Sequence, residues 1–492
     1  MSTLSTRVIL MACVGTLLSG CVATMAPRYE QPAAPIPAQW PDLAGGAAEK
    51  AIDIPWQSLF ADPRLRQVVQ LALDNNRDLR VATLNIEKAR AQYGIQRSAL
   101  FPEVGAGVSG NSGRTPASVS PTGAAVVSHV YSANLGITAY ELDLFGRVRS
   151  LNDQALQHYL ATGEARRAVR IGLIAEVAGA YLRLAADTEQ LTLARDTLRT
   201  RQEAYDLQRQ LREIGNASEL ALHQAEGERE AARDQSLALE STVATDRNAL
   251  ELLAGTKLSA ELRPDVPLEV MLAVQDLPAG LPSDLLQRRP DLLAAEHALI
   301  AAHANIGAAR AAFFPRITLT GGIGRASDSL SDLFDGANRA WSFLPQISVP
   351  IFTGGRLTAN LKVAKVERDI AVANYERSIQ TAFREVADAL AVRARLDGRL
   401  TAQQRQVEAA SAAYTLVRQR YDNGVSSYLE VLDAQRTLHA TQQNWIAIRL
   451  ARQANLVTLY KVLGGDWSSR SNVEGGTLSG NPNGEKLAIR LQ

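Results

Sequence analysis

Two stretches decide the fold because they are copies of each other: DLRVATLNIEKARAQYGIQRSALFPEV at residues 78–104 and DLLAAEHALIAAHANIGAARAAFFPRI at residues 291–317. The two copies carry a glycine, an arginine and a proline at the same spacing: Gly94 with Gly307, Arg97 with Arg310, and Pro102 with Pro315. One such match could arise by chance in a helix-rich chain. Several matches in one register indicate that a segment of the chain is repeated.

The match continues beyond these stretches, and it defines a large repeat. Further pairs follow at a second, constant spacing: Gly146 with Gly355, Glu176 with Glu385, and Gly215 with Gly424. The second spacing is shorter because the second copy lacks four residues of an intervening loop. We therefore expect a tandem duplication of one large structural unit.

Each copy begins with a helix that ends at Phe-Pro, because proline restricts the residue before it and cannot continue a helix. Alternating residues follow: Val104, Ala106 and Val108 share one face, as do Ile317, Leu319, Gly321 and Ile323 in the second copy. Alternation with a period of two predicts a strand. A polar loop rich in glycine, serine and asparagine comes next, and then a second strand, at roughly 130–144 and 341–352.

A very long helix follows the strands in each copy, over roughly 148–214 and 358–423, and neither run contains a proline. Apolar residues recur every seven positions within them: Val177, Leu184, Leu191, Leu198 and Tyr205, then Leu400, Val407, Tyr414 and Tyr421. Such a repeat is typical of helices that pack as coiled coils. A turn at Gly215 or Gly424 then leads into a second helix that ends near Leu253 or Val462.

Four strands of this length and pattern suit a membrane β-barrel with an apolar exterior and a polar interior. Aromatic residues near the strand ends fit an interfacial girdle: Tyr131, Tyr140, Trp341 and Phe352. A soluble sandwich with the same alternation is the alternative. Because a membrane barrel needs about eight or more strands, and open sheet edges are not tolerated in lipid, several chains must contribute to one barrel.

The N-terminus predicts export and lipidation. Arg7 precedes the short apolar run VILMACVGTLL, which has the length of a signal-peptide core. The run ends in Leu-Ser-Gly before Cys21, and small residues before a cysteine resemble the bacterial lipobox. A plain secretory cleavage site beside an incidental cysteine is the alternative. A proline-rich stretch at residues 26–43 follows and predicts an extended strap.

Composition and motifs argue against several other classes of protein. The 492 residues carry a formal net charge of +1 without a basic block, so nothing indicates nucleic-acid binding. The six histidines lack metal-binding spacings, and no nucleophile motif or phosphate loop is present. We therefore expect no enzyme activity, no metal and no cofactor apart from the covalent lipid.

The turn RYDNGVSSYLEVLDAQ at residues 420–435 carries two acids on one helical face, Glu430 and Asp433, beside Leu429. An ordinary solvated helix surface would explain these acids. The alternative is that this helical tip lines a passage.

Taken together in their order, these features resemble the outer-membrane factor lipoproteins of bacterial tripartite efflux pumps, the NodT-type family. The resemblance spans nearly all of the mature chain, and these motifs carry it: the lipobox at Cys21, GLPSDLLQRRPDLLAAE from Gly280, FFPRITLTGGIG from Phe313, IFTGGR from Ile351, and RYDNGVSSYLEVLDAQRTL from Arg420. The resemblance implies a trimeric, twelve-stranded β-barrel in the outer membrane joined to a long α-helical coiled-coil tunnel in the periplasm, with four strands from each chain.

Within that family the resemblance predicts the following organisation of the chain. We expect a lipoprotein signal peptide at 1–20, a lipidated strap at 21–61, repeat 1 at 62–280, repeat 2 at 281–464 and a polar tail at 465–492. Cys21 is expected to carry N-palmitoyl and S-diacylglycerol groups, which anchor the chain in the outer-membrane lipid.

The resemblance also implies a function and partners. The expected function is the exit duct of an efflux pump, which passively conducts drugs or other small molecules to the exterior. Its partners would be two further copies of the chain, a periplasmic adaptor (membrane fusion) protein and an inner-membrane RND-type pump. The alternatives are the outer-membrane outlet of a type I protein secretion system and a coiled-coil envelope lipoprotein that conducts nothing.

The resemblance places the periplasmic gate at the second tip. Leu429 would form an apolar constriction, and Glu430 and Asp433 would form rings of carboxylates that favour cations. Some relatives close the gate with links from a tyrosine and an arginine of this tip. Here Tyr421 is kept, whereas Ser426 replaces the arginine, and Leu220 and Ala221 stand at the partner positions. Closure is therefore expected to depend on Leu429 and on the partner of Tyr421.

Overall fold

The computed structural model describes residues 24–40, 54–274, 277–278, 280 and 282–465. The chain forms two compact units. The described residues of the first come from 24–34, 83–164 and 293–378, and those of the second from 35–82, 165–292 and 379–465. Each compact unit contains segments from both repeats. The sequence repeats therefore do not correspond to separate compact domains.

The first repeat contributes two of the four strands and two long helices. Its elements are α1 (Trp56–Leu59), α2 (Pro63–Asn75), α3 (Arg77–Ser98), β1 (Val104–Thr115), β2 (Val126–Leu142), α4 (Arg147–Glu213) and α5 (Glu219–Ala254). Single 3₁₀ turns at Ala260–Leu262, Leu268–Val270 and Pro282–Asp284 follow in the connection to the second repeat.

The second repeat has the same order of elements as the first from α3 onward, but one short helix precedes that series in place of two. Its elements are α6 (Leu285–Arg288), α7 (Pro290–Ala311), β3 (Arg316–Ser327), β4 (Arg339–Ser348), α8 (Arg356–Asp422) and α9 (Tyr428–Val462), with a 3₁₀ turn at Gly336–Asn338. The long helices α4 and α8 have 67 residues each, which corresponds to roughly 100 Å at 1.5 Å per residue. The predicted helices and turns of both repeats are confirmed.

Glycines and serines set the ends of the long helices. Gly215 and Gly424 follow α4 and α8 with φ of 79° and 75°, a conformation that glycine adopts without steric cost. Ser218 and Ser427 then cap α5 and α9, because each side chain accepts a backbone N–H from the first turn of its helix. The two hairpin tips are therefore built in the same way.

The four strands form one antiparallel sheet in the order β1-β2-β3-β4. Val104 pairs with Ile137 and Thr115 with Val126, and the third pair of strands runs from Arg316 opposite Ser348 to Arg325 opposite Arg339. A bulge interrupts β2 between Ile137 and Tyr140. At this bulge Ala139 has a φ of 52°, and its N–H donates to the Thr320 hydroxyl at 3.0 Å.

The strand limits differ from those predicted. β1 continues to Thr115, through glycine, serine and asparagine residues for which a loop is expected, because pairing with β2 satisfies the backbone groups that face that strand. β2 begins at Val126 and ends at Leu142, and β4 covers Arg339–Ser348. Phe352 therefore lies beyond the end of β4 and is almost fully exposed.

The second unit has the more deeply buried apolar core. Its fully buried side chains include residues of α1 and the position after it, α2, the middle of α4 and the connection between the repeats: Leu59, Phe60, Leu65, Ile174, Tyr181, Leu182, Met271 and Leu272. Side chains of α5, α8 and α9 complete this core: Leu250, Val386, Leu456 and Leu459. The hydroxyl of Tyr181 donates to Asp62 at 3.0 Å. This bond satisfies both buried polar groups, as burial requires.

No helix among the described residues combines the length and the apolar composition that crossing a bilayer requires.

Candidate functional site

The strand register places apolar residues of all four strands on one face of the sheet. Two cross-strand rows show this: Ala106–Leu135–Ile323–Trp341 and Val104–Ile137–Gly321–Phe343. Ile317 and Leu319 lie on the same face, since side chains two positions apart on a strand point the same way. This face of the sheet is therefore apolar over these rows, and arginine and histidine side chains (among them His129, Arg325 and Arg339) join it only towards the opposite end of the sheet.

The opposite face carries small and polar residues. It includes Gly107, Ser109, Ser132, Asn134, Thr318, Gly322, Ser342 and Gln346. The hydroxyls of Ser109 and Ser132 are 2.8 Å apart and form a cross-strand hydrogen bond. The strands have 10 to 17 residues, and a strand of about 9–11 residues crosses a bilayer when tilted. The sheet thus has the two faces expected of a membrane barrel wall.

The tip between α8 and α9 places the predicted gate residues at the start of α9. The N–H of Val425 donates to the Arg420 carbonyl at 2.8 Å, which closes the turn after α8. Leu429 follows the cap residue Ser427 by two positions, and 57% of its side chain is exposed in the single chain. Asp433, one turn further along α9, is also exposed. The structure brings Leu429, Glu430 and Asp433 together on one helix end, as predicted.

Glu430 has a structural partner that the sequence interpretation missed. Its carboxylate accepts the N–H and the hydroxyl of Ser427 at 3.0 and 3.1 Å, while Ser427 accepts the N–H of Glu430. These reciprocal bonds form a capping box. The bond from the Ser427 backbone is the main reason that the pKa of Glu430 lies below its usual value. The pattern Ser-x-x-Glu at a predicted helix start could have identified this role.

Tyr421 has a partner on the first repeat. The side-chain amide of Gln208, on α4, donates to the Tyr421 hydroxyl at 2.9 Å. The Tyr421 ring also lies 5.8 Å from the ring of Tyr428, measured between centroids. Ser426 is nearly buried and accepts from Arg420 at 2.9 Å. Tyr421 thus links the two hairpins of this unit without an arginine at position 426.

A partly buried group of charges lies beside this link and was not predicted: Arg201 is buried, whereas the side chain of Arg436 is largely exposed. Arg201 on α4 pairs with Glu228 on α5 at 2.9 Å, and Glu228 also pairs with Arg436 on α9. Burial lowers the pKa of Arg201, and Glu228 opposes that effect. Because these residues come from three helices far apart in sequence, no local pattern could have brought them together. The cluster ties α9 to both helices of the first hairpin.

Cys21, the predicted lipidation site, lies outside the described residues. Among the described residues no group of three or more histidine, cysteine, aspartate and glutamate side chains could hold a metal ion.

His439 lies between Thr197 and Gln235, and burial lowers its pKa. Its hydrogen bonds account for a neutral histidine in the packing of the helices.

The profile of the outer membrane efflux protein family matches residues 68–256 and 281–465. The toluene efflux pump outer membrane protein TtgF of Pseudomonas putida is 49% identical to the chain over 465 residues, which cover 92% of this chain and 96% of that protein. The outer membrane protein OprJ of Pseudomonas aeruginosa is 46% identical over 455 residues, covering 92% and 95%.

A solved structure has the same fold. The open state of the MtrE outer membrane channel of Neisseria gonorrhoeae superposes with a TM-score of 0.83 at 40% identity, covering 90% of this chain and 99% of that chain. The predicted fold class, strands of a membrane β-barrel joined to a long α-helical tunnel, is confirmed by this similarity. With both repeats matched and such relatives over nearly its whole length, the chain belongs to the outer membrane efflux protein family.

Proposed function

We propose that three copies of this chain form one outer-membrane exit duct, which passively conducts small molecules out of the cell as part of a tripartite efflux pump. The observation that carries the proposal is the sheet with one apolar and one polar face. Its edge strands are β1 and β4, and among the described residues neither pairs with a further strand. Since lipid does not tolerate open strand edges, copies of the chain would pair edge to edge, and three sheets give twelve strands.

The duct would continue into the periplasm through the long helices. Its gate would lie at the second tip, where threefold symmetry turns Leu429 into an apolar ring and Glu430 and Asp433 into rings of acids. Because Glu430 is held by Ser427, Asp433 would contribute the more accessible charge. The bond from Gln208 to Tyr421 and the Arg201–Glu228–Arg436 cluster would hold the closed tip, in place of the arginine link of some relatives.

The partners in this proposal are a periplasmic adaptor protein and an inner-membrane pump of the RND type. Support comes from the names of the relatives, which describe outer membrane proteins of efflux pumps for toluene, solvents and antibiotics. These names favour export of small molecules over the secretion of proteins. A lipid on Cys21 would add an anchor in the outer membrane to the barrel itself.

Single-channel recording in planar bilayers tests this proposal. We expect Leu429→Gly to raise the resting conductance well above that of the parent protein, because the apolar constriction is removed. The matched control is Leu220→Gly, since Leu220 occupies the same position in the first tip and is exposed to a similar extent. Its conductance should equal that of the parent. Two variants that both conduct like the parent would show that the second tip is not the gate.

A further inference from the structure

The N-terminal strap is seated closely on the first unit. Arg310, near the end of α7, donates to the Met25 carbonyl at 3.1 Å. Gly307, one turn earlier, allows this approach, because a Cβ there would lie 2.7 Å from the Ala26 nitrogen and 2.6 Å from the Ser150 hydroxyl. A Cβ at Gly146 would likewise lie 2.8 Å from the Thr24 Cα. The strap backbone therefore occupies a site that only glycine leaves open.

At the equivalent site in the other repeat, no segment of the part of the chain that the structure describes takes the place of the strap. Gly94 corresponds to Gly307, and Gly355 corresponds to Gly146. A Cβ at either Gly94 or Gly355 would meet no atom within 4 Å. Two sites of common origin thus differ in occupancy, and the occupied one lies where residues 24–26 reach the second repeat's helix α7.

An apolar groove opens beside the seated strap. Its volume is about 590 Å³, and it is lined by Met25, Ala26, Arg310, Phe313, Phe314 and Leu361. Phe313 and Phe314 expose 40% and 42% of their surface. Phe313 and Phe314 form one wall of the groove. The ring of Phe145 stacks on that of Phe314 with centroids 4.9 Å apart and so holds this wall in place. Among the described residues that line the groove, Arg310 alone is charged, and it donates to the Met25 carbonyl of the strap.

We propose that one acyl chain of the lipid on Cys21 lies in this groove, between the strap and the Phe313–Phe314 wall. The proposal rests on the lipidation predicted at Cys21. Thr24 follows Cys21 by three residues, which span about 10 Å at most when extended, and Met25 and Ala26 already form part of the groove. The groove also adjoins Pro315 and the start of β3, where the polypeptide enters the predicted membrane wall. Apolar surface at this place is suited to a hydrocarbon chain.

Site-specific photocrosslinking in the full-length protein, in native outer membranes, tests this assignment. The photoreactive residue p-benzoylphenylalanine replaces Phe313, and in the matched control it replaces Leu100, which is the equivalent of Phe313 in the first repeat. After irradiation, trypsin releases the N-terminal lipopeptide, which ends at Arg28, and a short peptide at residues 311–316. We expect mass spectrometry to find the lipopeptide acyl chain joined to the 311–316 peptide, several-fold above any product at position 100.

A second pair of variants makes the test independent of the probe site. Gly307→Ala should displace the strap and strongly reduce the crosslink from position 313, whereas Gly94→Ala should leave it unchanged. Crosslinks to a free phospholipid, crosslinks to another copy of the chain, or no product would each overturn the proposal. An intact mass without acyl groups on Cys21 would overturn it as well. The proposed function is tested separately by bilayer conductance. A protein whose lipid lies elsewhere would still conduct, so the two proposals can fail independently.

Discussion

At the scale of single residues, Glu430 and Asp433 differ in what else they do. The Glu430 carboxylate completes the capping box of α9 with Ser427, whereas Asp433 lies on the exposed side of the next turn. Truncating Glu430 to alanine would remove a charge and a helix cap together. Glutamine at the same position keeps a capping box while it removes the charge. Glu430→Gln is therefore the variant that isolates the electrostatic effect.

We predict that Glu430→Gln and Asp433→Asn each lower the cation-to-anion permeability ratio of the channel, and that the double variant lowers it further, because rings of carboxylates favour cations. Reversal potentials in a salt gradient measure this ratio. Glu219→Gln is the control, since Glu219 is an exposed acid in the first turn of α5, at the other tip. Parent-like selectivity in the double variant would mean that the acids are an ordinary solvated helix surface.

The pH dependence of Glu430 follows from its lowered pKa. A carboxyl group with a folded-state pKa below its unfolded value contributes stability above the unfolded pKa of about 4.3, and this contribution is lost as the pH falls through the folded value. The capping box of α9 is therefore complete at neutral pH and weakens only in acid.

At the scale of elements, adjacent residues of β2 test the two faces of the sheet. Leu135 lies on the apolar face and Asn134 on the polar face, both near the middle of the strand. We predict that Leu135→Lys costs about 2–4 kcal/mol of unfolding free energy in lipid, and that Asn134→Lys costs much less. Urea unfolding in lipid vesicles measures both. Equal costs would contradict the assignment of the lipid-facing side.

Asp187 on α4 and Asp246 on α5 form a pair of acids between the two helices. This pair makes the stability of the fold depend on pH. Burial raises the pKa of Asp187 to about 6, and a hydrogen bond with Asp246 and repulsion from it add to this shift, while Arg183 opposes it. The folded-state pKa lies above the unfolded value of about 3.9. The ionised pair therefore destabilises the fold at neutral pH, and this effect is relieved as the pH falls through about 6.

We predict that Asp187→Asn is more stable than the parent at pH 7.5, and that the difference shrinks at pH 5, because the parent then holds a proton at this site. Thermal unfolding midpoints at the two pH values measure the effect. Asp196→Asn, an exposed acid on the same helix, is the control and should show no such pH dependence. The same gain in stability at both pH values would contradict the protonation of Asp187 beside Asp246 at pH 5.

At the scale of the whole molecule, the repeated pattern was sufficient to predict the order of helices and strands. The prolines after α3 and α7, the glycines after α4 and α8 and the seven-residue apolar repeat each act locally, so their effects can be read from neighbouring residues. The extent of β1 could not be predicted, because Gly110 and Asn111 are strand residues only by pairing with Tyr131 and Val130. The Arg201–Glu228 and Gln208–Tyr421 contacts join separate helices, and no local pattern encodes them.

The two edges of the sheet determine how many chains must assemble. β1 and β4 each need a partner strand if the sheet is to lie in lipid, and a second or third chain can supply it. Four strands from each of three chains give twelve, enough to close a wall around a passage. One chain gives only four strands, too few for a membrane barrel, and two chains give eight, whose interior is filled by side chains. The number of chains in the folded complex thus tests the barrel, the tunnel and the duct together.

The most direct measurement is the intact mass of the complex, extracted from outer membranes in mild detergent and analysed by native mass spectrometry. The account predicts one species with the mass of three lipidated mature chains, and strand content by circular dichroism that matches four strands per chain. A monodisperse monomer or dimer that retains this strand content would contradict it.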